Sequence, residues 1–278
     1  MFERILYPTD FSEVSLHALR HCIPKLFKLG AKELHLLHVI DITVAELEAF
    51  ELEEPYRKKL EKLAEELREL GINAKADVRI GVPSLEIEEA SEEAKADLIV
   101  TPSVGENVWR RMFMGSTASN LARTTKKPVL LLKYVKKNDS YELAVDCEKL
   151  FRRPLVAVDF SKCSIKIIKT AKAFEELIDV GILLHSVDYG RIDELEHNIE
   201  IAKKNLEKTA RGLNASFEPE VMVGTASQAI IGTALAKGAT LIVIGKKGRS
   251  ILKDLILGST AERVMRDSKL PVLLVPCG

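Results

Sequence analysis

Residues 240–276 read TLIVIGKKGRSILKDLILGSTAERVMRDSKLPVLLVP. Residues 97–133, DLIVTPSVGENVWRRMFMGSTASNLARTTKKPVLLLK, align on them without a gap at an offset of 143, with 14 identities in 37 positions. Gly105 falls on Gly248, Gly115-Ser116-Thr117 on Gly258-Ser259-Thr260, and Pro128 on Pro271. The match extends upstream. Asp10-Phe11-Ser12 pairs with Asp159-Phe160-Ser161, Leu36-Leu37-His38 with Leu183-Leu184-His185, and Gly81 with Gly224. Self-similarity at such an offset means one structural unit used twice. The expected domains are residues 1–136 and 154–278, joined by a linker at 137–153 that opens with the polar stretch around Lys136–Ser140.

Within each copy, short apolar runs alternate with amphipathic stretches. In the second copy the runs are Leu155–Val158, Gly181–His185, Phe217–Val223, Leu241–Ile244 and Val272–Val275, and helical patterns cover Lys166–Leu177 and Glu194–Leu213. Continuously apolar strands separated by helices belong to parallel sheets covered on both faces. The expected fold is therefore α/β: two doubly wound domains, each a five-stranded, mainly parallel sheet with helices on both faces. The first copy carries an acidic stretch, Asp41–Leu70, which reads as a solvated helix broken at Pro55.

Composition narrows the field. The chain has 278 residues and 41 Lys+Arg against 41 Asp+Glu, so it lacks the overall basic charge of a general nucleic-acid binder. Its 46% hydrophobic and 29% charged residues are those of a folded protein. No apolar run approaches the ~20 residues that span a bilayer, and MFERILYPTDF lacks the apolar core of a secretory signal. Cys22, Cys147, Cys163 and Cys277 are scattered singly, which suggests neither a zinc knuckle nor a redox dithiol and makes a reducing cytoplasm the simplest home. A single glutamine, Gln228, among many charged residues leans towards a thermophile.

Open α/β sheets bind ligands outside the carboxyl ends of their strands. In the second copy those ends are Asp159, Ser186-Val187-Asp188, Gly224 and Gly245, the last directly after Ile244. Gly245-Lys246-Lys247-Gly248 is followed, nine residues later, by Gly258-Ser259-Thr260 at the start of a helical pattern. Glycines let backbone N–H groups approach a ligand, and a helix N-terminus favours phosphate. Lys246, Lys247, Arg249 and Lys253 add positive charge. Dinucleotide and Walker-type fingerprints are absent from the sequence. Ser259 with Glu262 could equally be a capping box, and Asp159 and Asp10 could be helix N-caps.

The G-x2-G-x9-G-S/T arrangement resembles the universal stress protein family in its ATP-binding branch, and the whole chain resembles a tandem member. In the first copy ILYPTDFSE, LLHVID and PVLLL carry the likeness. The resemblance implies that Asp159, and Asp10 in the first copy, contact adenine, while Ser186 or Val39 offers backbone to the base. Gly245, Gly248, Gly258 and Ser259 would hold ribose and phosphates beside Thr260, with Gly224 and Ile244 completing the set. The bound group would be ATP or AMP, with or without Mg2+. The resemblance also implies pairing of the two domains through their final strands, Pro128–Lys133 and Pro271–Pro276, and suggests a homodimer of whole chains.

The first copy departs from the pattern. Pro102 replaces Gly245, Ser103-Val104 replaces the lysine pair, and Glu106 replaces Arg249. Proline has no N–H to donate. Gly81, Gly105, Gly115, Ser116 and Thr117 remain, so a degenerate site is expected there. His38 and His185 read as structural. His17 and His21, one helical turn apart, lack a third metal ligand in the sequence. Trp109, Met112, Phe113 and Met114 form an apolar cluster in the first copy's loop. The leading functional reading is an adenine-nucleotide-binding stress-response protein whose ligand regulates conformation or partner binding. Its rivals are an ATPase or phosphoryl or nucleotidyl transferase using the same pocket, and an interaction protein with a vestigial one.

Overall fold

The computed structural model describes residues 2–45, 48–103, 116–137, 140–188, 192–247 and 257–277. They fall into two compact units, Met1–Glu148 and Lys149–Gly278.

In the first unit, β1 (Arg4–Pro8) leads to α1 (Glu13–His21) and α2 (Ile23–Lys28), and β2 (Glu33–Asp41) to the single turn α3 (Ile42–Ala45) and α4 (Ala49–Glu69). Then come β3 (Ala74–Gly81), α5 (Pro83–Glu93), β4 (Leu98–Pro102), α6 (Ser116–Thr124) and β5 (Val129–Leu132). An antiparallel hairpin of β6 (Tyr134–Lys137) and β7 (Ser140–Leu143) closes the unit. The sheet runs β5-β4-β1-β2-β3, every pair parallel.

The second unit repeats this plan. Its elements are β8 (Pro154–Ala157), α7 (Lys162–Lys172), a 3-10 turn (Glu175–Leu177), β9 (Gly181–Val187), α8 (Ile192–Arg211), β10 (Phe217–Val223), α9 (Ala226–Ala236), β11 (Leu241–Gly245), α10 (Ser259–Asp267) and β12 (Val272–Val275). Parallel pairs give the order β12-β11-β8-β9-β10. Every residue of β8, β11 and β12 is buried, so helices cover both faces, as the unbroken apolar runs require. The outer strand β10 instead mixes buried and exposed positions. Among the described residues no helix is long and apolar enough to cross a membrane.

Two details differ from the sequence reading. Helix α4 runs through Pro55 without a break. Leu60, Leu63, Ala64 and Leu67 bury one stripe of the helix and hold it together, while Pro55 faces solvent. The four cysteines, isolated along the sequence, meet in space. Cys22 pairs with Cys147 at a Cα separation of 5.3 Å and Cys163 with Cys277 at 4.9 Å, both as disulfides within one unit. Spacing along the chain could not reveal this, because each pair spans more than 110 residues (125 and 114) that only the fold returns to one place.

Candidate functional site

Strand β8 lies between β9 and β11, so the strand order switches direction beside its carboxyl end. A crevice opens there in doubly wound sheets. The chain leaves β8 through Val158-Asp159-Phe160-Ser161. Asp159 Oδ1 accepts from the Ser161 N–H at 3.0 Å and the Ser164 hydroxyl at 2.9 Å. Ser161, not Asp159, is the N-cap of α7, accepting from the Cys163 N–H. The tight turn forces Phe160 to φ +60°, a region few non-glycine residues occupy. Its ring meets His185 with centroids 4.5 Å apart. His185 Nδ1 lies 2.8 Å from the Val158 carbonyl, so Nδ1 carries the hydrogen and the ring braces this turn. At the end of β9, the Ser186 hydroxyl donates to the Gly224 carbonyl at 2.8 Å, joining β9 to the positive-φ turn after β10.

Opposite this turn, the Lys246 N–H donates to the Val275 carbonyl at 2.7 Å, and the Gly258 N–H donates to the Lys246 carbonyl at 2.9 Å. The loop after β11 is thus pinned shut at its base. Gly258 is the N-cap of α10, so the cap residue itself offers no side-chain oxygen to that terminus. The capping-box alternative for Ser259 and Glu262 therefore fails: Ser259 is the first helical residue and Gly258 takes the cap position. The first-turn N–H groups of α10 lie beside the cavity, where an acceptor from outside the chain can meet them. Gly245 is needed for a close approach. A Cβ there would come within 2.5 Å of Cys163 Sγ and 3.1 Å of Cys277 Sγ.

Between the two sides lies a cavity of about 630 Å3, within the roughly 300–1,000 Å3 range of small-molecule sites. Of the residues that the resemblance assigns to the nucleotide, Asp159, Ser186, Ile244, Gly245, Gly258, Ser259 and Thr260 line it. Gly224 reaches it only through its bond to Ser186. Gly248, Arg249 and Lys253 lie outside the described residues. The sequence reading missed Phe160 and the α8 face of Asn198, Ile201, Ala202 and Asn205, which forms one wall. Phe160 stood in the quoted Asp-Phe-Ser match and could have been found. The α8 wall could not, because its residues look like an ordinary amphipathic pattern. Asp159 and Asp188 line one part of the cavity, Lys246 and Lys247 another.

The first unit keeps the frame and fills the space. Phe11 also has positive φ, +58°, and meets His38 at 4.7 Å, and His38 Nδ1 lies 2.8 Å from the Thr9 carbonyl. Asp10 accepts from the Ser12 N–H, and the Ser103 N–H donates to Leu132 as Lys246 does to Val275. Val39 and Gly81 pair across β2 and β3 with Arg79 and Asp41, and Pro102 ends β4. Here, however, Tyr56 of α4 stacks on Phe11 at 5.6 Å and meets His38 in a tilted contact at 4.3 Å, and Lys59 Nζ sits 4.2 Å from the Phe11 ring centre. Matching buried Leu60 and Ala64 of α4 to buried Ala202 and Leu206 of α8 sets Tyr56 on Asn198 and Lys59 on Ile201. Phe11 is consequently buried, while Phe160 stays partly open. Burial, followed by weaker opposing effects of the Thr9 bond and Asp10, holds the His38 pKa below its ordinary value. Thr117 is exposed on α6; Gly105, Gly115, Glu106 and the Trp109 cluster lie outside the described residues, as does the side chain of Ser116. His17 and His21 face each other at 4.3 Å, and His17 Nδ1 bonds the Tyr134 hydroxyl at 3.1 Å.

Comparison with known proteins agrees with this architecture. The universal stress protein family matches the chain twice, over residues 1–133 and 150–276. Universal stress protein MJ0577 of Methanocaldococcus jannaschii is 36% identical over 157 residues, covering 48% of this chain and 96% of that protein. Universal stress protein MJ0531 of the same organism is 32% identical over 146 residues, covering 49% and 85%. The crystal structure of a universal stress protein from Archaeoglobus fulgidus covers 99% of this chain and 98% of its own, at 27% identity and a TM-score of 0.76. With the domain present twice and the fold matched along its length, the chain belongs to the universal stress protein family as a tandem member.

Proposed function

We propose that the second unit binds an adenine nucleotide, ATP or AMP with or without Mg2+, and that occupancy regulates conformation or partner binding in a cytoplasmic stress response. One observation carries this reading. The 630 Å3 cavity brings together the lysine pair, the glycine-capped N-terminus of α10 and, on its other side, Asp159 and Phe160. The α10 side suits phosphates, which take N–H donors and positive charge. The Phe160 side suits a flat base. The first unit binds weakly or not at all, since Tyr56 and Lys59 occupy the matching position.

Calorimetry of ATP with the full chain tests this, with one site per chain expected. Ser259→Glu keeps a residue that favours a helix N-terminus but sets a carboxylate against the phosphates. It should weaken ATP at least tenfold, about 1.4 kcal/mol, and leave adenosine much less affected. Equal losses for both ligands would count against the assignment of the phosphate end. Phosphate release with ATP and magnesium, lost in Gly248→Val, would replace the regulator with an ATPase. Pairing of the final strands within a chain and a homodimer of chains belong to the same proposal, and sedimentation velocity reads the dimer directly.

A further inference from the structure

The Cys163–Cys277 bridge lies where the nucleotide reading needs rigidity. Cys163 is the second residue of α7, two residues after the Asp159-Phe160-Ser161 turn whose Asp159 and Phe160 line the cavity. Cys277 lies two residues beyond β12. Their sulfurs press against Gly245, at 2.5 and 3.1 Å from where a Cβ would stand, and Cys277 Sγ accepts from the Lys247 N–H at 3.4 Å. One covalent link therefore fixes the start of α7, the end of β12 and the first three residues of the glycine loop, Gly245 to Lys247. The Cys22–Cys147 bridge lies in the other unit.

We propose that Cys163 and Cys277 form a reversible thiol–disulfide site that sets nucleotide affinity, the substrate being a small thiol or dithiol reductant. The inference rests on the nucleotide reading of this cavity. Cys277 is half-buried and Cys163 buried, so a thiolate R–S– attacks Cys277 Sγ. The Cys163–Cys277 bond breaks, a mixed disulfide R–S–S–Cys277 forms, and Cys163 leaves as a thiolate that then takes up a proton. The leaving charge develops in the first turn of α7, at the positive end of the helix dipole. A second thiol attacks the mixed disulfide, freeing Cys277 and releasing R–S–S–R. Two electrons pass from two thiols to the protein. The oxidised form holds Gly245–Lys247 in the binding geometry beforehand, and preorganisation of this kind raises affinity. Reduction releases it.

The test uses the full chain, oxidised or reduced with dithiothreitol, the state of each cysteine being read by alkylation and mass spectrometry. Calorimetry should give ATP binding about tenfold weaker after reduction, within the 5–150-fold span typical of coupled sites. Cys277→Ser should bind like the reduced protein in either buffer, and Cys147→Ser should keep the full response. Because coupling is reciprocal, saturating ATP should make the Cys163–Cys277 bridge about tenfold harder to reduce. Equal ATP affinity in two verified redox states overturns this inference and leaves the nucleotide site standing. So does alkylation of both Cys163 and Cys277 in the oxidised preparation. Binding of ATP in neither state overturns the nucleotide reading, and the inference with it.

Discussion

Phe11 and Phe160 occupy the same strained turn, carry nearly the same φ and touch matching histidines. What differs is the group covering each ring. Tyr56 covers Phe11, whereas Phe160 lines the cavity. Phe160→Ala should therefore weaken ATP by about five- to tenfold, from the ~1 kcal/mol or more that base–aromatic stacking is worth, and change stability little. Phe11→Ala should leave ATP unchanged and cost about 3 kcal/mol, the usual penalty for emptying a core position. Calorimetry and urea denaturation of the two variants check the pair, and a reversed pattern would refute the assignment. This asymmetry was only half legible in the sequence. Pro102 and the lost lysine pair marked the first copy as degenerate, but Tyr56 gave no sign. It stands 45 residues from Phe11 in a stretch whose charges advertise a wet surface, and only the docking of α4 turns its ring inward.

At the scale of elements, periodicity located most strands, because a fully buried parallel strand leaves an unbroken apolar run. Phe217–Val223 and Val272–Val275 match residue for residue. Helix ends were harder, since caps depend on backbone geometry that side-chain type only biases. Lys166–Leu177, read as one helix, is α7 followed by a separate 3-10 turn. Pro55 misled for a related reason. It lacks one N–H, but four buried residues further along α4 outweigh that loss. Pro55→Ala restores the missing bond at an exposed position and should stabilise the first unit by about 1–3 kcal/mol. The midpoint of urea unfolding would move up with unchanged slope. A lower midpoint would mean that the proline is needed to aim α4.

For the molecule as a whole, pH acts on the first unit. His17, His35 and His38 all have pKa values held below the ordinary 6.5, each chiefly by burial. The folded state thus binds these protons less readily than the unfolded chain. Stability is complete above about pH 6.5 and falls as pH drops below it, by at most ~1.4 kcal/mol per pH unit for each histidine. Denaturation at pH 7.5 and 5.5 should show the loss, and His38→Asn should remove one histidine's share of it. A stability that rises on acidification would contradict the burial argument. Folding also explains why the cysteines could not be read as pairs, since each bridge joins the two ends of its own unit, which only that unit's fold brings together.

The hydrogen bond from the Gly258 N–H to the Lys246 carbonyl has a consequence for how this family member can vary. Whatever lies between those residues leaves and re-enters the domain at one point. The entropy of closing such a segment grows only with the logarithm of its length, about 0.6 kcal/mol for each doubling. A peptide grafted between Lys247 and Leu257 would therefore tax the fold lightly. Such a graft would separate the two roles of that span: the surrounding frame would keep its fold, while ATP binding, which the nucleotide reading ties to Gly248 and its spacing from Gly258, would be lost.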